Sequence, residues 1–201
     1  MDGNATLLFA HGAGASMDSP FLVDLSRRLA DHGIEVVRFE FPYMAARREG
    51  RRPGPDPMPR LEASFREHFE RLAGGSGRKN LAIGGKSMGG RVATRVADLL
   101  GASRVVVFGY PFHAPGKPVL PQPNPRTTHL ESLQTPTLIF QGTRDPFGTR
   151  SEVESYSLSA AIRLHWIEDG DHDLRCRKSV VGRTAADALD EACAAAAAFL
   201  T

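Results

Sequence analysis

Residues 81–91, with the sequence LAIGGKSMGGR, place a serine between two pairs of glycines. Apolar residues precede the glycines and a helical pattern of apolar residues follows them, which predicts a buried strand, a tight turn and a helix. Gly85 to Gly89 fits G-x-S-x-G, the pattern of a nucleophile elbow, with Ser87 at the apex. Glycines flank this serine because the strand and the helix approach too closely for a Cβ atom. The helix then directs its free N–H groups toward negative charge that develops near the serine.

Two other motifs overlap these patterns. Residues 85–87 end like a phosphate-binding P-loop, G-x-x-x-x-G-K-[ST], but Asn80 stands where its first glycine belongs. Residues 12–14 imitate a dinucleotide-binding fingerprint, but Met17 stands where its third glycine belongs. A glycine-rich turn with an incidental serine also remains open, because matches to five-residue patterns are common. The rest of the chain has to decide among these interpretations.

Length, charge and cysteine content limit the classes of protein to which this chain can belong. A chain of 201 residues is expected to form one domain, residues 1–201, with a sizeable core. A formal net charge of +2 is too small to indicate nucleic acid or a membrane surface as the main partner. The two cysteines, Cys176 and Cys193, form no disulfide framework, and no signal peptide or membrane-spanning segment is recognisable. We therefore expect a soluble, cytoplasmic protein with a small-molecule partner; the oligomeric state cannot be read from the sequence.

Short apolar segments alternate with helical patterns along the chain, which predicts a parallel sheet with helices on both faces. The predicted strands are residues 6–10, 34–41, 81–83, 104–109, 136–141 and 162–167. Residues 43–60 are arginine-rich and are predicted to be irregular, either as a solvated loop or as a rim that attracts an anionic substrate. Residues 110–135 are proline-rich and are predicted to form a small lid loop above the sheet.

Polar residues follow several of these strands at the point where each strand ends. They are residues 11–14, Ser87, Asp145 and His172. In parallel sheets ligands bind beyond the carboxyl ends of the strands, so these residues are expected to meet at one edge. A serine hydroxyl needs a base to take its proton, and the base needs an acceptor that fixes its tautomer. Ser87, Asp145 and His172 follow one another in the order that is typical of α/β-hydrolases.

Other roles for these residues remain open. Asp145 could cap a helix that begins near Pro146. The alternative acids, Asp169, Asp171 and Asp173, adjoin His172 in one loop and would need a sharp reversal to reach its ring. His172 and Cys176 form half of a metal site at best, so no metal and no other cofactor is predicted.

Six segments together resemble small bacterial α/β-hydrolases of the dienelactone-hydrolase-related group. Within it, the chain resembles most closely the short proteins that include the testis-expressed hydrolase-like protein and the hydrolase-like domain of a histone-acetyltransferase-complex subunit. The segments are residues 11–14, 39–43, 84–91, 109–113, 141–148 and 170–173. The resemblance implies an α/β-hydrolase fold: a minimal six-stranded parallel sheet with helices on both faces and no large cap domain.

The resemblance also implies roles for individual residues. Ser87 would be the nucleophile, His172 the base and then the acid, and Asp145 the residue that orients the imidazole. The backbone N–H groups of Met88 and Ala13 would form an oxyanion hole. Candidate substrate contacts are His11, Gly14, Tyr43 and His113.

These residues predict a serine hydrolase that acts on a carboxylic ester or a thioester through an acyl-enzyme. The alternative is a catalytically idle α/β-hydrolase-like module that serves in protein interactions. A third hypothesis keeps the elbow and transfers the acyl group to an alcohol instead of water.

Overall fold

The computed structural model describes residues 5–76, 81–116 and 124–201. Its strands are β1 (Thr6–Ala10), β2 (Glu35–Phe39), β3 (Leu81–Lys86), β4 (Val105–Phe108), β5 (Thr137–Gly142) and β6 (Ile162–Ile167). Its helices are α1 (Pro20–Asp31), α2 (Pro42–Arg48), α3 (Met58–Ser76), α4 (Met88–Leu100), α5 (Arg150–Val153), α6 (Lys178–Val181) and α7 (Ala185–Leu200). A short 3₁₀ helix spans Thr128–Glu131.

The strands form one parallel sheet in the order β2-β1-β3-β4-β5-β6. Successive side chains of a strand point to opposite faces, so each central strand feeds two cores. Ile83 and Val107 pack on the face covered by α3 and α4, whereas Phe9 and Val106 pack on the face covered by α1 and α7. Burial on both faces explains why these strands are continuous apolar runs. The predicted fold class is confirmed, and no cap domain is present among the described residues.

The prediction that residues 43–60 are irregular is wrong for half of that segment, because residues 43–48 and 58–60 are helical. Helix α2 begins at Pro42, and α3 already begins at Met58. Proline fits the first turn of a helix, where its missing N–H is not needed. The face of α2 that carries Tyr43, Met44 and Ala46 is buried, and Arg47 and Arg48, which follow these residues directly, obscure the pattern in the sequence.

Other boundaries also differ from those predicted. Strand β2 ends at Phe39, two residues earlier than predicted. The 3₁₀ helix and α6 were not predicted, because each has only four residues and too short a pattern to recognise.

The predicted lid falls partly on residues 117–123, which lie outside the described residues. Its described flanks pack into the protein: Tyr110, Phe112 and Leu130 are fully buried. The lid itself stays a prediction. Within the described part of the chain, no helix has the length and apolar character needed to cross a bilayer.

Candidate active site

The turn between β3 and α4 holds the backbone of Ser87 at φ 53° and ψ −117°. Residues other than glycine rarely adopt this conformation. Its neighbours have no room for a side chain. A Cβ atom on Gly85 would lie 2.4 Å from the carbonyl carbon of Gly89, and one on Gly90 would lie 2.3 Å from Cγ1 of Val107. The glycines therefore let β3 and α4 meet closely enough to expose the serine hydroxyl at the apex.

The structure brings Ser87, His172 and Asp145 together at the carboxyl end of the sheet. Nε2 of His172 lies 2.9 Å from Oγ of Ser87, and Nδ1 lies 2.8 Å from Oδ2 of Asp145. Asp145 is fully buried after β5, whereas His172 follows β6 and its side chain is one-fifth exposed. These distances form a continuous hydrogen-bonded chain from carboxylate to hydroxyl.

Two further donors hold the Asp145 carboxylate. The N–H of Phe147 donates to Oδ1 at 2.8 Å, and Nε2 of Gln141 donates to Oδ2 at 2.9 Å. Gln141 is fully buried, and its Oε1 accepts the N–H of Tyr110 at 2.8 Å. The sequence analysis missed Gln141 as a site residue. A glutamine inside an otherwise apolar strand was the available signal, since a buried amide needs polar partners.

The three alternative acids have other partners. Asp169 pairs with Arg177, and this ion pair lowers the pKa of Asp169 to about 2. Oδ1 of Asp171 accepts backbone N–H groups of its own loop, at 2.9 Å each. Asp173 lies 3.3 Å from Nζ of Lys86. Asp145 is therefore the carboxylate that contacts the His172 ring.

The two residues predicted to donate backbone N–H groups to an oxyanion, Met88 and Ala13, line the cavity beside Ser87. Met88 is the first residue of α4, and the first N–H groups of a helix have no acceptor within it. Ala13 lies in the loop after β1, and its N–H has no hydrogen-bond acceptor among the described residues. Both residues, together with Gly14, line the same cavity as Ser87. The arrangement can accept a developing oxyanion.

His11 and Tyr43 lie beneath this loop and do not line the cavity. Nδ1 of His11 donates to the carbonyl of Gly12 at 2.7 Å, and Nε2 accepts the N–H of Phe41 at 3.1 Å. Burial lowers the pKa of His11, in keeping with the neutral ring that these two bonds require. The Tyr43 hydroxyl donates to the carbonyl of Ala13 at 3.0 Å. Both side chains therefore orient the peptide groups of the loop.

The cavity beside Ser87 has a volume of about 750 Å³. Apolar side chains form much of its wall: Phe21, Leu22, Met58, Leu61, Met88 and Phe147. His113, a further candidate contact, does not line it; this buried ring lies 3.2 Å from the carboxylate of Glu152. The apolar wall could not be identified from the sequence, because its six residues come from four separate segments.

The family model for the alpha/beta hydrolase domain matches residues 3–201. The chain belongs to the alpha/beta hydrolase family. Its structure is similar to an alpha-beta serine hydrolase homologue from Coxiella burnetii, with a TM-score of 0.73 and 15% identity, covering 94% of this chain and 84% of that one. It is also similar to dienelactone hydrolase from Anabaena variabilis, with a TM-score of 0.71 and 20% identity, covering 98% and 85%.

A serine hydrolase without lid from Xanthomonas campestris is similar as well, with a TM-score of 0.64 and 20% identity over 92% of this chain and 80% of that one. At these identities the similarity shows the fold alone. The family resemblance predicted from the sequence is thus confirmed at the level of the alpha/beta hydrolase fold. The narrower resemblance, to the testis-expressed and acetyltransferase-complex proteins, stays a prediction.

In this alpha/beta hydrolase, Lys86 joins the elbow to the loop that carries His172. Its side chain is only 9% exposed, and Nζ donates to the backbone carbonyl of His172 at 2.7 Å. Burial lowers the pKa of Lys86, and the nearby carboxylates of Asp173 and Asp145 oppose that effect. The sequence analysis considered Lys86 only as part of a P-loop and missed this contact.

Metal binding was also considered for His172 and Cys176. Within residues 5–76, 81–116 and 124–201, no three His, Cys, Asp or Glu side chains are placed to hold a metal ion together. Cys176 is buried and lies near the backbone carbonyls of Arg183 and Thr184.

Proposed function

We propose that this protein is a serine hydrolase that cleaves carboxylic esters or thioesters through an acyl-enzyme. The observation that carries the proposal is the hydrogen-bonded chain Asp145–His172–Ser87, with contacts of 2.8 and 2.9 Å. Such a chain lets the imidazole take the serine proton while the carboxylate stabilises the resulting imidazolium. The wall of apolar side chains suits a small or medium acyl group.

In the first half-reaction, Oγ of Ser87 attacks the substrate carbonyl carbon and passes its proton to Nε2 of His172. The carbonyl oxygen becomes an oxyanion that accepts hydrogen bonds from the N–H groups of Met88 and Ala13. When the tetrahedral intermediate collapses, the bond to the leaving oxygen or sulfur breaks. That atom takes the proton from His172, which leaves the acyl group on Ser87.

In the second half-reaction, water replaces the leaving group. His172 takes a proton from the water as its oxygen attacks the acyl carbon. Collapse then breaks the bond to Oγ of Ser87, which recovers the proton, and the acid is released. Loss of one oxyanion donor typically costs on the order of 10²–10³ in rate, whereas loss of the serine or histidine costs roughly 10⁶.

A fluorophosphonate probe and a 4-nitrophenyl ester test this proposal. The probe should label wild-type protein at Ser87, and the ester should give a burst of nitrophenolate followed by steady turnover. Ser87→Ala should abolish both signals. Ser19→Ala is the matched control, because Ser19 lines the same cavity but lies at the start of α1 without a side-chain capping bond. This control should be labelled like wild type.

The alternative of an idle interaction module predicts a different result. Folded wild-type protein would then remain unlabelled and would release nitrophenolate no faster than Ser87→Ala. Either observation would contradict the hydrolase proposal. Product analysis in mixtures of water and alcohol would separate hydrolysis from acyl transfer to an alcohol.

A further inference from the structure

The cavity wall carries more positive than negative charge. Its charged side chains are Lys86, Arg91, Arg126, Arg175, Asp56 and Asp173. Both carboxylates already have partners. Asp56 lies 3.3 Å from Arg60 and accepts the N–H of Tyr43 at 2.8 Å, and Asp173 pairs with Lys86 and, at 3.7 Å, with Arg175. Among the described residues, Arg91 and Arg126 therefore line the cavity without a carboxylate partner.

Arg91 lies one helical turn beyond the serine, and its backbone N–H donates to the carbonyl of Ser87 at 3.0 Å. Its Nε is buried, and within the described residues it has no hydrogen-bond partner. Glu62, the carboxylate that favours its charge, is itself paired with Arg95. Because Nε is closed to the cavity, a ligand acceptor would bind the Arg91 guanidinium group through its Nη atoms.

The two guanidinium groups also act on each other. Burial lowers the pKa of Arg91, and the positive charge of Arg126 lowers it further. Arg126 is held in place on both sides: its Nη1 donates to the carbonyl of Pro111 at 3.3 Å, and its own carbonyl accepts the Tyr110 hydroxyl at 2.6 Å. Two like charges that line one cavity favour the binding of an anion there.

We propose that Arg91 and Arg126 bind a carboxylate of the substrate. The proposal rests on the hydrolase function above and specifies its substrate class: an ester or thioester with a second, free carboxylate. Guanidinium forks match the planar carboxylate with paired hydrogen bonds. Because Ser87, Arg91 and Arg126 line the same cavity, this carboxylate would lie a few carbon atoms from the scissile carbonyl.

This subsite differs from the rim at residues 43–60, one of two interpretations of that arginine-rich segment, which would attract an anionic substrate. Arg48 pairs with Glu40 and Asp18, and Arg51 pairs with Glu49. Arg48 and Arg51 thus have acceptors of their own, whereas Arg91 and Arg126 line the cavity beside Ser87 without a carboxylate partner among the described residues.

Pairs of 4-nitrophenyl esters test the proposal. The monoesters of glutaric and adipic acid carry the second carboxylate, and the esters of pentanoic and hexanoic acid match their chain lengths without it. Wild type should show a higher kcat/KM for the anionic member of each pair. Arg91→Gln and Arg126→Gln should each lower the anionic-to-neutral ratio of kcat/KM by about 10- to 100-fold, the range for a charged hydrogen bond.

Arg95→Gln is the matched control, because Arg95 lies on the same helix, is exposed, pairs with Glu62 and does not line the cavity. It should keep the wild-type ratio. Arg91→Lys retains a charge but loses the fork, so it should recover part of the ratio. Equal loss on both members of a pair in Arg91→Gln would show a structural role and would overturn the proposal.

The outcomes separate this inference from the hydrolase function. Turnover of neutral esters without any anionic preference would overturn the subsite and leave the hydrolase proposal standing. If no ester is cleaved and Ser87 is not labelled, the hydrolase proposal fails. Glutarate binding measured by calorimetry then tests the subsite alone. Glutarate should bind Ser87→Ala protein and bind at least 10-fold more weakly when Arg91→Gln is added. Absence of binding would overturn the subsite.

Discussion

Replacing His129 with glutamine should remove much of the pH dependence of stability between about pH 7.5 and pH 4.5. The His129 ring lies between the 3₁₀ helix and α4, where Nε2 is 2.9 Å from Oγ1 of Thr94. Its Nδ1 is buried and has no hydrogen-bond partner among the described residues. Burial, reinforced by the charges of Arg95 and Arg91, lowers the pKa of His129 from 6.5 to about 4.

The size of the effect follows from the two pKa values. The unfolded chain takes up the proton near pH 6.5, whereas the folded protein resists it until about pH 4. Between these values the unfolded state binds more protons, so stability is full above pH 6.5 and is lost as the pH falls. At about pH 4.5, the cost to the folded state is ~2.5 kcal/mol, a large share of a typical stability.

Urea denaturation at the two pH values measures this cost. The free energy of unfolding of wild type should fall by ~2.5 kcal/mol more than that of His129→Gln. Other groups titrate in the same range, His11 among them because burial lowers its pKa, so only the difference between proteins is interpreted. His32→Gln, at an exposed position, should behave like wild type. If wild type and His129→Gln lose the same free energy, the reasoning from burial is refuted.

Two further predictions concern the supports of the site. Tyr43→Phe removes the hydroxyl that holds the carbonyl of Ala13, so kcat for a 4-nitrophenyl ester should fall about 10-fold with little change in KM; a change in KM alone would contradict the assigned role. Gln141→Leu leaves the buried N–H of Tyr110 without its acceptor and should lower the free energy of unfolding by about 1–3 kcal/mol. It should also shift the acidic limb of the pH profile of kcat/KM, and an unchanged profile would contradict a positioning role for Gln141.

The sequence predicts the sheet well because strands that are buried on both faces are continuous runs of apolar residues. Strand β1, which is buried along its whole length, has the predicted bounds Thr6–Ala10, and the other central strands differ by a few residues at most. Helix α2 was missed for a physical reason. Its buried side chains lie within residues 43–46 and are followed directly by Arg47 and Arg48, and tertiary contacts, not local preference, stabilise such a short helix.

Some residues of the candidate site could likewise be predicted from the sequence, and others could not. The position of Ser87 could be predicted because steric limits on a strand–turn–helix leave a local pattern of glycines. The inward orientation of Lys86 and Arg91 could not be predicted, because charged residues are usually exposed and only long-range packing turns these two toward the cavity. Gln141 lies between these cases: the sequence shows a polar residue in a buried strand but does not show its partners.

Different contacts hold Ser87 and His172 in place, and Lys86 connects the elbow to the loop that carries His172. The strained backbone of Ser87 costs about 1–3 kcal/mol and persists because the glycines pack β3 against α4. His172 lies on a loop that the sheet does not fix by itself. The bond from Lys86, adjacent to the nucleophile, to the carbonyl of His172 ties that loop to the elbow.

Gly109 completes this connection at the end of β4. Its φ of 67° suits glycine, and a Cβ atom there would lie 2.6 Å from the carbonyl oxygen of His172 and 3.1 Å from Nζ of Lys86. Three strand ends, those of β3, β4 and β6, therefore meet at one point. The hydrogen bond from Lys86 joins the residue before Ser87 to the backbone of His172. A displacement of the His172 loop is therefore expected to displace the elbow as well. The 2.9 Å separation of hydroxyl and imidazole is thus a property of the assembled sheet edge and not of either loop alone.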